Sequence, residues 1–325
     1  MDDRLSINFW SPYTGYMHRR IFDTAEKIQT MEIRGAGRIA VAAASAIRDY
    51  AAELQADSME EFSRKIQEAA DVLINTRPTA VSLPNAVRIA SSHSSGSVEE
   101  SRAEIIENAE NFIKQAQEAL GRIGEIGARR IRDSDVVLTH CNSHAALAAI
   151  KKAFDQGKNI SVIATESRPR KQGLLTIKEL NDYGIPATLI VDSAVRSVIK
   201  DVDIVIVGAD AIAVNGTLVN KIGTSQIALM AHEARVNFLV AAETYKFSPD
   251  TILGQLIDIE ERSKDEVIDP GVLKDMENVT VKNPAFDFTP AEYIDLIITE
   301  IGAIPPGMAY TIIKEHLGWK LADLR

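Results

Sequence analysis

From Asp135 onward the sequence changes period, and this change limits the fold more than any other feature. Short runs rich in β-branched residues appear at Asp135–Thr139, Ile160–Thr165, Ala187–Val191, Asp203–Val207 and Phe238–Ala241. Helix-like stretches such as Ser143–Gln156 and Ile177–Tyr183 lie between them. A strand–helix–strand order implies right-handed crossovers and a largely parallel sheet covered on both faces. Ligands of such sheets bind beyond the carboxyl ends of the strands, at the point where strand order reverses. Chemistry is therefore expected in the turns that follow the strands.

The chain before Asp135 has a helical period instead. Ile21–Leu54 places apolar residues at helical spacing among many alanines, interrupted near Gly35 and Gly37. Ser58-Met-Glu-Glu61 and Ser97-Val-Glu-Glu100 have the capping-box form, in which a hydroxyl and a Glu three residues on cap the helix start reciprocally. The second box opens an amphipathic stretch to about Arg130, and the serine-rich segment Ser91–Ser97 reads as a loop. Past the last strand run, Pro290–Glu300 reads as a helix with an early proline, followed by Ile304-Pro-Pro-Gly307 and a final helical stretch near Leu317. The expected fold is α/β: an N-terminal helical domain over residues 1–130, then a Rossmann-like, mainly parallel-sheet domain over 131–325.

Charge narrows the function classes. Thirty-six Lys and Arg stand against 46 Asp and Glu in 325 residues, a net charge of −10. That balance argues against nucleic acid or an anionic membrane surface as the partner, while leaving room for a locally positive pocket. The single cysteine, Cys141, excludes an internal disulfide and fits a reducing compartment. No apolar run approaches the roughly 18 residues of a membrane span, and the start Met1-Asp-Asp-Arg-Leu5 lacks a signal-peptide core. A cytoplasmic protein is expected. No phosphate loop or dinucleotide glycine fingerprint occurs, and His140, Cys141 and His144 have no second cluster to complete a metal site.

Several positions could carry chemistry. Cys141 follows one strand run and precedes a helix, whose positive end would lower the thiol pKa, with His140 and His144 beside it. A buried, inert cysteine is the plain alternative. Asp210 follows another strand run through Gly208-Ala209, which leave space for a ligand; partial burial would raise its pKa and let it carry a proton. Taken alone, a turn-forming aspartate is the commoner reading of that position. Asn220-Lys221-Ile-Gly-Thr224 offers an amide, an ammonium and a small-residue turn at a helix start, which is an anion cradle or a capped surface helix. Arg34-Gly35-Ala36-Gly37 breaks a helical stretch with glycines that each cost about 1 kcal/mol against alanine. A phosphate close to the bare backbone would compensate, and a simple kink would not need one. Arg77 and Arg168 each precede a proline and read as loop arginines, with Gln172 available for a hydrogen bond.

These motifs occur in a specific order. Arg34-Gly-Ala, Arg77-Pro-Thr-Ala80, Thr139-His-Cys-Asn142, Glu166-Ser-Arg-Pro169, Gly208-Ala-Asp210, Asn215-Gly216, Asn220-Lys-Ile-Gly-Thr224, Asn283-Pro-Ala-Phe-Asp287 and Ile297-Ile-Thr-Glu300 run from about Met31 to the C-terminus. The set resembles the superfamily joining methylthioribose-1-phosphate isomerase, ribose-1,5-bisphosphate isomerase and the regulatory subunits of translation initiation factor 2B. Arg34-Gly-Ala-Gly37, Ser82-Leu-Pro-Asn-Ala86, Cys141-Asn-Ser-His-Ala145 and Ala241-Ala-Glu-Thr-Tyr-Lys-Phe247 resemble the bisphosphate branch most. The resemblance implies an aldose–ketose isomerase with Cys141 and Asp210 as the reacting pair and no cofactor. It implies phosphate contacts from Arg34, Gly35, Ala36, Gly37, Arg77, Arg168 and Lys221, with Asn220 on a sugar hydroxyl. Keeping water from an enediol-like intermediate calls for a helical domain that closes over the sheet edge. The resemblance further implies two-fold dimers assembled into a hexamer, and AMP as activator. A methylthioribose substrate and a non-catalytic regulatory subunit are the alternatives; the intact Cys141 and Asp210 disfavour the latter.

Overall fold

The computed structural model describes residues 19–33, 35–77, 81–94, 96–255, 257–274 and 276–319. Five helices come first: α1 (Arg19–Gln29), α2 (Ala36–Glu53), α3 (Met59–Ile74), α4 (Ser82–Ser91) and α5 (Val98–Ala128). The described chain separates into two compact units. The first holds the residues up to Arg77 and Leu83–Lys114, and the second holds Val81, Ser82 and the residues from Gln115 on, so one division falls inside α5.

In the first unit, α1 buries Ile21, Ala25 and Ile28, while α2 buries Ile39, Ala40, Ala43, Ala44 and Ile47. The alanines leave little side chain between α2 and its neighbours α1 and α3, so the backbones approach closely. Each fully buried isoleucine contributes roughly 1.5–3 kcal/mol against exposure. The Ser97 capping box closes reciprocally, whereas at Ser58 the Glu61 carboxylate accepts the Asp57 N–H at 3.0 Å in place of that of Ser58. Ser58 Oγ accepts the Glu61 N–H and Ser97 Oγ accepts the Glu100 N–H, each at 3.2 Å, and Glu100 returns the bond to the Ser97 N–H at 2.9 Å.

The second unit alternates strand and helix: β1 (Val136–Thr139), α6 (His144–Asp155), β2 (Ser161–Thr165), α7 (Gly173–Tyr183), β3 (Ala187–Ile190), the one-turn α8 (Val195–Val198) and β4 (Ile204–Val207). It continues with β5 (Ala211–Ile212), β6 (Leu218–Lys221), α9 (Thr224–Ala234), β7 (Asn237–Ala241), β8 (Phe286–Thr289), β9 (Leu296–Thr299), β10 (Gly302–Ile304) and α10 (Ala309–Glu315). The main sheet has the order β10-β9-β7-β4-β1-β2-β3. Pairing is parallel from β9 across to β3, and only β10 runs antiparallel. The five β-branched runs of the sequence are all strands of this sheet. From β1 the chain moves outward to β2 and β3, then crosses back to lay β4 on the other side of β1. The order therefore reverses between β1 and β4, whose register pairs Val137 with Ile204 and Leu138 with Val205. A smaller antiparallel sheet, β5-β6-β8, sits after β4 in the chain.

A core of Val137, Val162, Ile204, Ile206, Leu239 and Ile298 with Leu147, Ile150 and Leu180 holds the strands and helices together. The expectation of a helix over Pro290–Glu300 is wrong. After a short turn at Ala291–Tyr293 the segment becomes β9, because Ile297 and Ile298 are fully buried and pair alongside Val240 and Ala241. A short apolar run with no polar face suits a buried strand better than a helix.

Candidate active site

Cys141 leaves β1 with φ of +65°, a conformation that L-residues other than Asn and Asp seldom adopt and that costs on the order of 1–3 kcal/mol. Its neighbours hold it there. The Cys141 N–H donates to Ser167 Oγ at 2.8 Å, and the Cys141 carbonyl accepts from Thr176 Oγ1 at 2.6 Å. Asn142 Nδ2 donates to the same Thr176 hydroxyl at 3.1 Å. Ser167 is itself at positive φ after β2, fixed by Asp192, whose two carboxylate oxygens accept the Ser167 and Arg168 N–H groups at 2.8 and 2.7 Å. The turns after β1, β2 and β3 are thus joined through backbone groups.

The Cys141 thiol donates to Gln172 Oε1 at 3.5 Å, a long bond. Burial pushes its pKa up to about 11, although part of the residue is open to solvent. The charge of Lys221 and the Asn142 N–H pull the pKa down, and Asp210 and Asp192 push it further up. The expected thiolate at a helix N-terminus is therefore corrected. The helix starts three residues later and is capped by Ser143, whose Oγ accepts the Ala146 N–H at 3.2 Å. Near neutral pH Cys141 is a thiol.

Asp210 lies beyond β4, the strand beside β1, half-buried, with its N–H donating to Val219 O at 2.9 Å. Its charge adds to the rise of the Cys141 thiol pKa, and the two residues follow neighbouring strands on either side of the reversal point. Gly208 does not leave room for a ligand, as the sequence suggested. A Cβ there would stand 2.3 Å from Ser143 Oγ, so the glycine makes way for the cap of α6.

Asn220 and Lys221 end β6. Asn220 is buried and donates to Thr224 Oγ1 at 3.0 Å, while Lys221 Nζ donates to Ala285 O at 3.1 Å and lies 4.6 Å from the Phe286 ring centre. The start of α9 is not an open anion cradle. Asp287, paired with Asn220 across the small sheet, accepts the Gly223 N–H at 2.7 Å and the Ser225 N–H at 3.2 Å. Burial raises the Asp287 pKa to about 6 against the pull of those two donors. Arg168 is exposed, donates to Val267 O at 3.1 Å, and precedes Pro169 through a cis peptide. At the end of β7, Lys246 and Glu243 form a buried ion pair at 2.7 Å. Burial drives the Glu243 carboxyl upward, but the Lys246 ammonium outweighs it and leaves the pKa below the ordinary carboxylate range.

Of the remaining expected residues, Gly35, Ala36, Gly37 and Arg77 belong to the first unit, and Arg34 lies outside the described residues. Gly35, at φ of +91°, caps α2, and Ala36 and Gly37 form its first turn, so the glycines mark a break between two helices rather than a kink in one. Arg77 is half-buried past the end of α3. The sequence reading missed Thr165, Thr176 and Asp192, and carried Ser167 and Asp287 inside motifs without giving either a role. Among the described residues no group of three or more His, Cys, Asp or Glu could hold a metal ion, and no helix is long and apolar enough to cross a membrane.

Comparison with known proteins adds to this geometry. The signature of the initiation factor 2 subunit family matches residues 32–306. The ribose 1,5-bisphosphate isomerase of Methanocaldococcus jannaschii is 58% identical over 92% of this chain and 96% of that protein. The methylthioribose-1-phosphate isomerase of Acetivibrio thermocellus is 40% identical over 89% of each. Among solved structures, the translation initiation factor eIF-2B of Pyrococcus horikoshii OT3 superposes with a TM-score of 0.75 at 32% identity, covering 89% of this chain and 98% of that one.

Proposed function

Since the chain belongs to the initiation factor 2 subunit family, we propose that it is the isomerase that converts ribose 1,5-bisphosphate to ribulose 1,5-bisphosphate. The observation that supports this reading is the 58% identity to a relative of that name, in a chain that keeps Cys141 and Asp210 after the neighbouring strands β1 and β4. The 40% identity to a methylthioribose-1-phosphate isomerase ranks the thioether substrate second.

The substrate carries a phosphate on its C1 oxygen, so its ring cannot open to a free aldehyde. The ring oxygen must gain a proton, and one hydrogen must leave C2 and another arrive at C1. In this route the proton starts on sulfur, because burial and the Asp210 charge both favour the thiol. Transfer of that proton to Asp210 makes a thiolate and a carboxylic acid without changing the net charge of the site. The acid then protonates the ring oxygen and the thiolate removes the C2 hydrogen, leaving an enol phosphate, a thiol and a carboxylate. In the second half the thiol protonates C1 while the carboxylate takes the proton of the C2 hydroxyl. The ketose forms, and the pair relaxes to its starting state. Lys221, close enough to stabilise a thiolate, favours the reactive form.

Within the second unit, Arg168 and Lys221 serve phosphate, Asn220 a sugar hydroxyl, and Gln172 the thiol, to which it is hydrogen-bonded. As part of the same reading, the protein works in the cytoplasm as a hexamer assembled from two-fold dimers, with AMP as activator. Incubation with each sugar phosphate, read out as ketose formation, tests the assignment: turnover of the bisphosphate supports it, and turnover of the thioether sugar alone reverses it. Deuterium at C1 of product formed in deuterated water supports the proton route, because a hydride shift carries the C2 hydrogen across without exchange. Cys141→Ser and Asp210→Asn each lower kcat by about a hundredfold or more.

A further inference from the structure

His140 is buried between three turns of the sheet edge, and the isomerase chemistry above gives it no task. Its Nε2 stands 2.9 Å from Ile222 O, and because a carbonyl only accepts, that nitrogen carries a proton. Its Nδ1 lies 2.5 Å from Thr165 Oγ1 and 3.3 Å from Ser167 Oγ. Burial pushes the imidazole pKa down, and of the charged groups facing it, Asp192 opposes that shift and Lys221 adds to it. The ring is therefore neutral with the proton on Nε2, and Nδ1 accepts from the Thr165 hydroxyl. Thr165 Oγ1 in turn sits 3.3 Å from Ser167 Oγ, the group that receives the Cys141 N–H. On the other side, Ile222 follows Asn220 and Lys221 and precedes Gly223. A Cβ on Gly223 would come within 3.2 Å of the imidazole Cε1, so the turn packs directly on the ring.

We propose that His140 is a positioning residue, a neutral bridge whose Nδ1 side fixes the Cys141 turn through Thr165 and Ser167 and whose Nε2 side fixes the Asn220–Lys221 turn through Ile222. This rests on the isomerase reading for what the two turns do, but the bridge itself is independent of the substrate. The two nitrogens serve different parts of the reaction, and this makes the assignment separable. A glutamine amide can reach Ile222 but leaves the Thr165 side unsupported. An asparagine amide reaches Thr165 and abandons Ile222.

The test uses His140→Gln and His140→Asn in the full chain. His140→Gln lowers kcat by about tenfold to a hundredfold while KM stays near its normal value, since misplacing a reacting group by about 1 Å costs on that order. His140→Asn instead raises KM by about tenfold with a smaller change in kcat. The chain has one cysteine, so iodoacetamide reports Cys141 alone. His140→Gln moves the pH profile of alkylation toward the ordinary thiol range, whereas His140→Asn keeps the profile of the unmodified protein. Thr165→Val, which removes the hydroxyl and leaves the ring in place, reproduces the His140→Gln pattern and stands in for it should that variant fail to fold. Equal loss of kcat and KM in both histidine variants, or alkylation profiles that do not differ between them, overturns the bridge. Were the protein to turn over neither sugar phosphate, the isomerase reading would fall while the alkylation experiment still decided the role of His140.

Discussion

Cys141 occupies a backbone conformation and a protonation state that both run against its residue type. Its left-handed φ is maintained by Ser167 on the N–H and Thr176 on the carbonyl, and its thiol is kept neutral by burial. With a pKa pushed up to about 11, alkylation by iodoacetamide keeps rising about tenfold per pH unit beyond pH 9, where an ordinary thiol near 8.5 has levelled off. A plateau below pH 9 would contradict that environment. Asp287 supplies a second pH signature. Its carboxyl is raised from 3.8 to about 6 in the fold, so the native state retains a proton that the unfolded chain releases. The associated stability is present below about pH 4 and is lost as pH rises through about 6. Asp287→Asn removes that component, and its melting temperature changes less between about pH 4 and 7 than that of the unmodified protein; parallel curves would assign the effect elsewhere. Sequence position was enough to single out Cys141 and Asp210, because each directly follows a β-branched run. It could not single out Ser167, Thr176 or Asp287, whose partners lie 26, 35 and 64 residues away and meet them only through the topology.

Helices and strands are fitted to one another at glycines. A Cβ on Gly173 would sit 1.8 Å from Thr165 O, since the first residue of α7 rests directly on the end of β2. Gly173→Ala should cost at least about 1–3 kcal/mol by overpacking. Because Thr165 leads to the His140 bridge, it should also lower activity at temperatures where the variant is folded; thermal unfolding and kinetics at low temperature measure the two separately. Gly127 works in the same manner between α5 and α6, where a Cβ would meet that of Ala149 at 2.5 Å. The helix starts at Ser58 and Ser97 were legible because a capping box is a local pattern four residues long. Ser58→Ala should cost roughly 1 kcal/mol, checked by thermal unfolding. β9 was misread because a proline followed by apolar residues also opens helices, and only its place beside β7 decides between them.

Across the whole sheet, the order β10-β9-β7-β4-β1-β2-β3 puts β1 and β4 at the centre and β3 at a margin whose residues are largely exposed. Amides of β1, β4 and β7 should exchange with deuterium slowest and those of β3 markedly faster; equal protection along β3 would mean that its margin is covered in solution. The parallel α/β class was readable from the alternation of periods, whereas the small sheet β5-β6-β8 was not, since β8 joins β6 from 65 residues later with no pattern linking them. That small sheet has a further consequence. By delivering the Asp287 carboxylate to the first turn of α9, it fills with the protein's own anion the berth that free inorganic phosphate would otherwise find there. Free phosphate thus finds the Gly223 and Ser225 N–H groups already taken at this helix start.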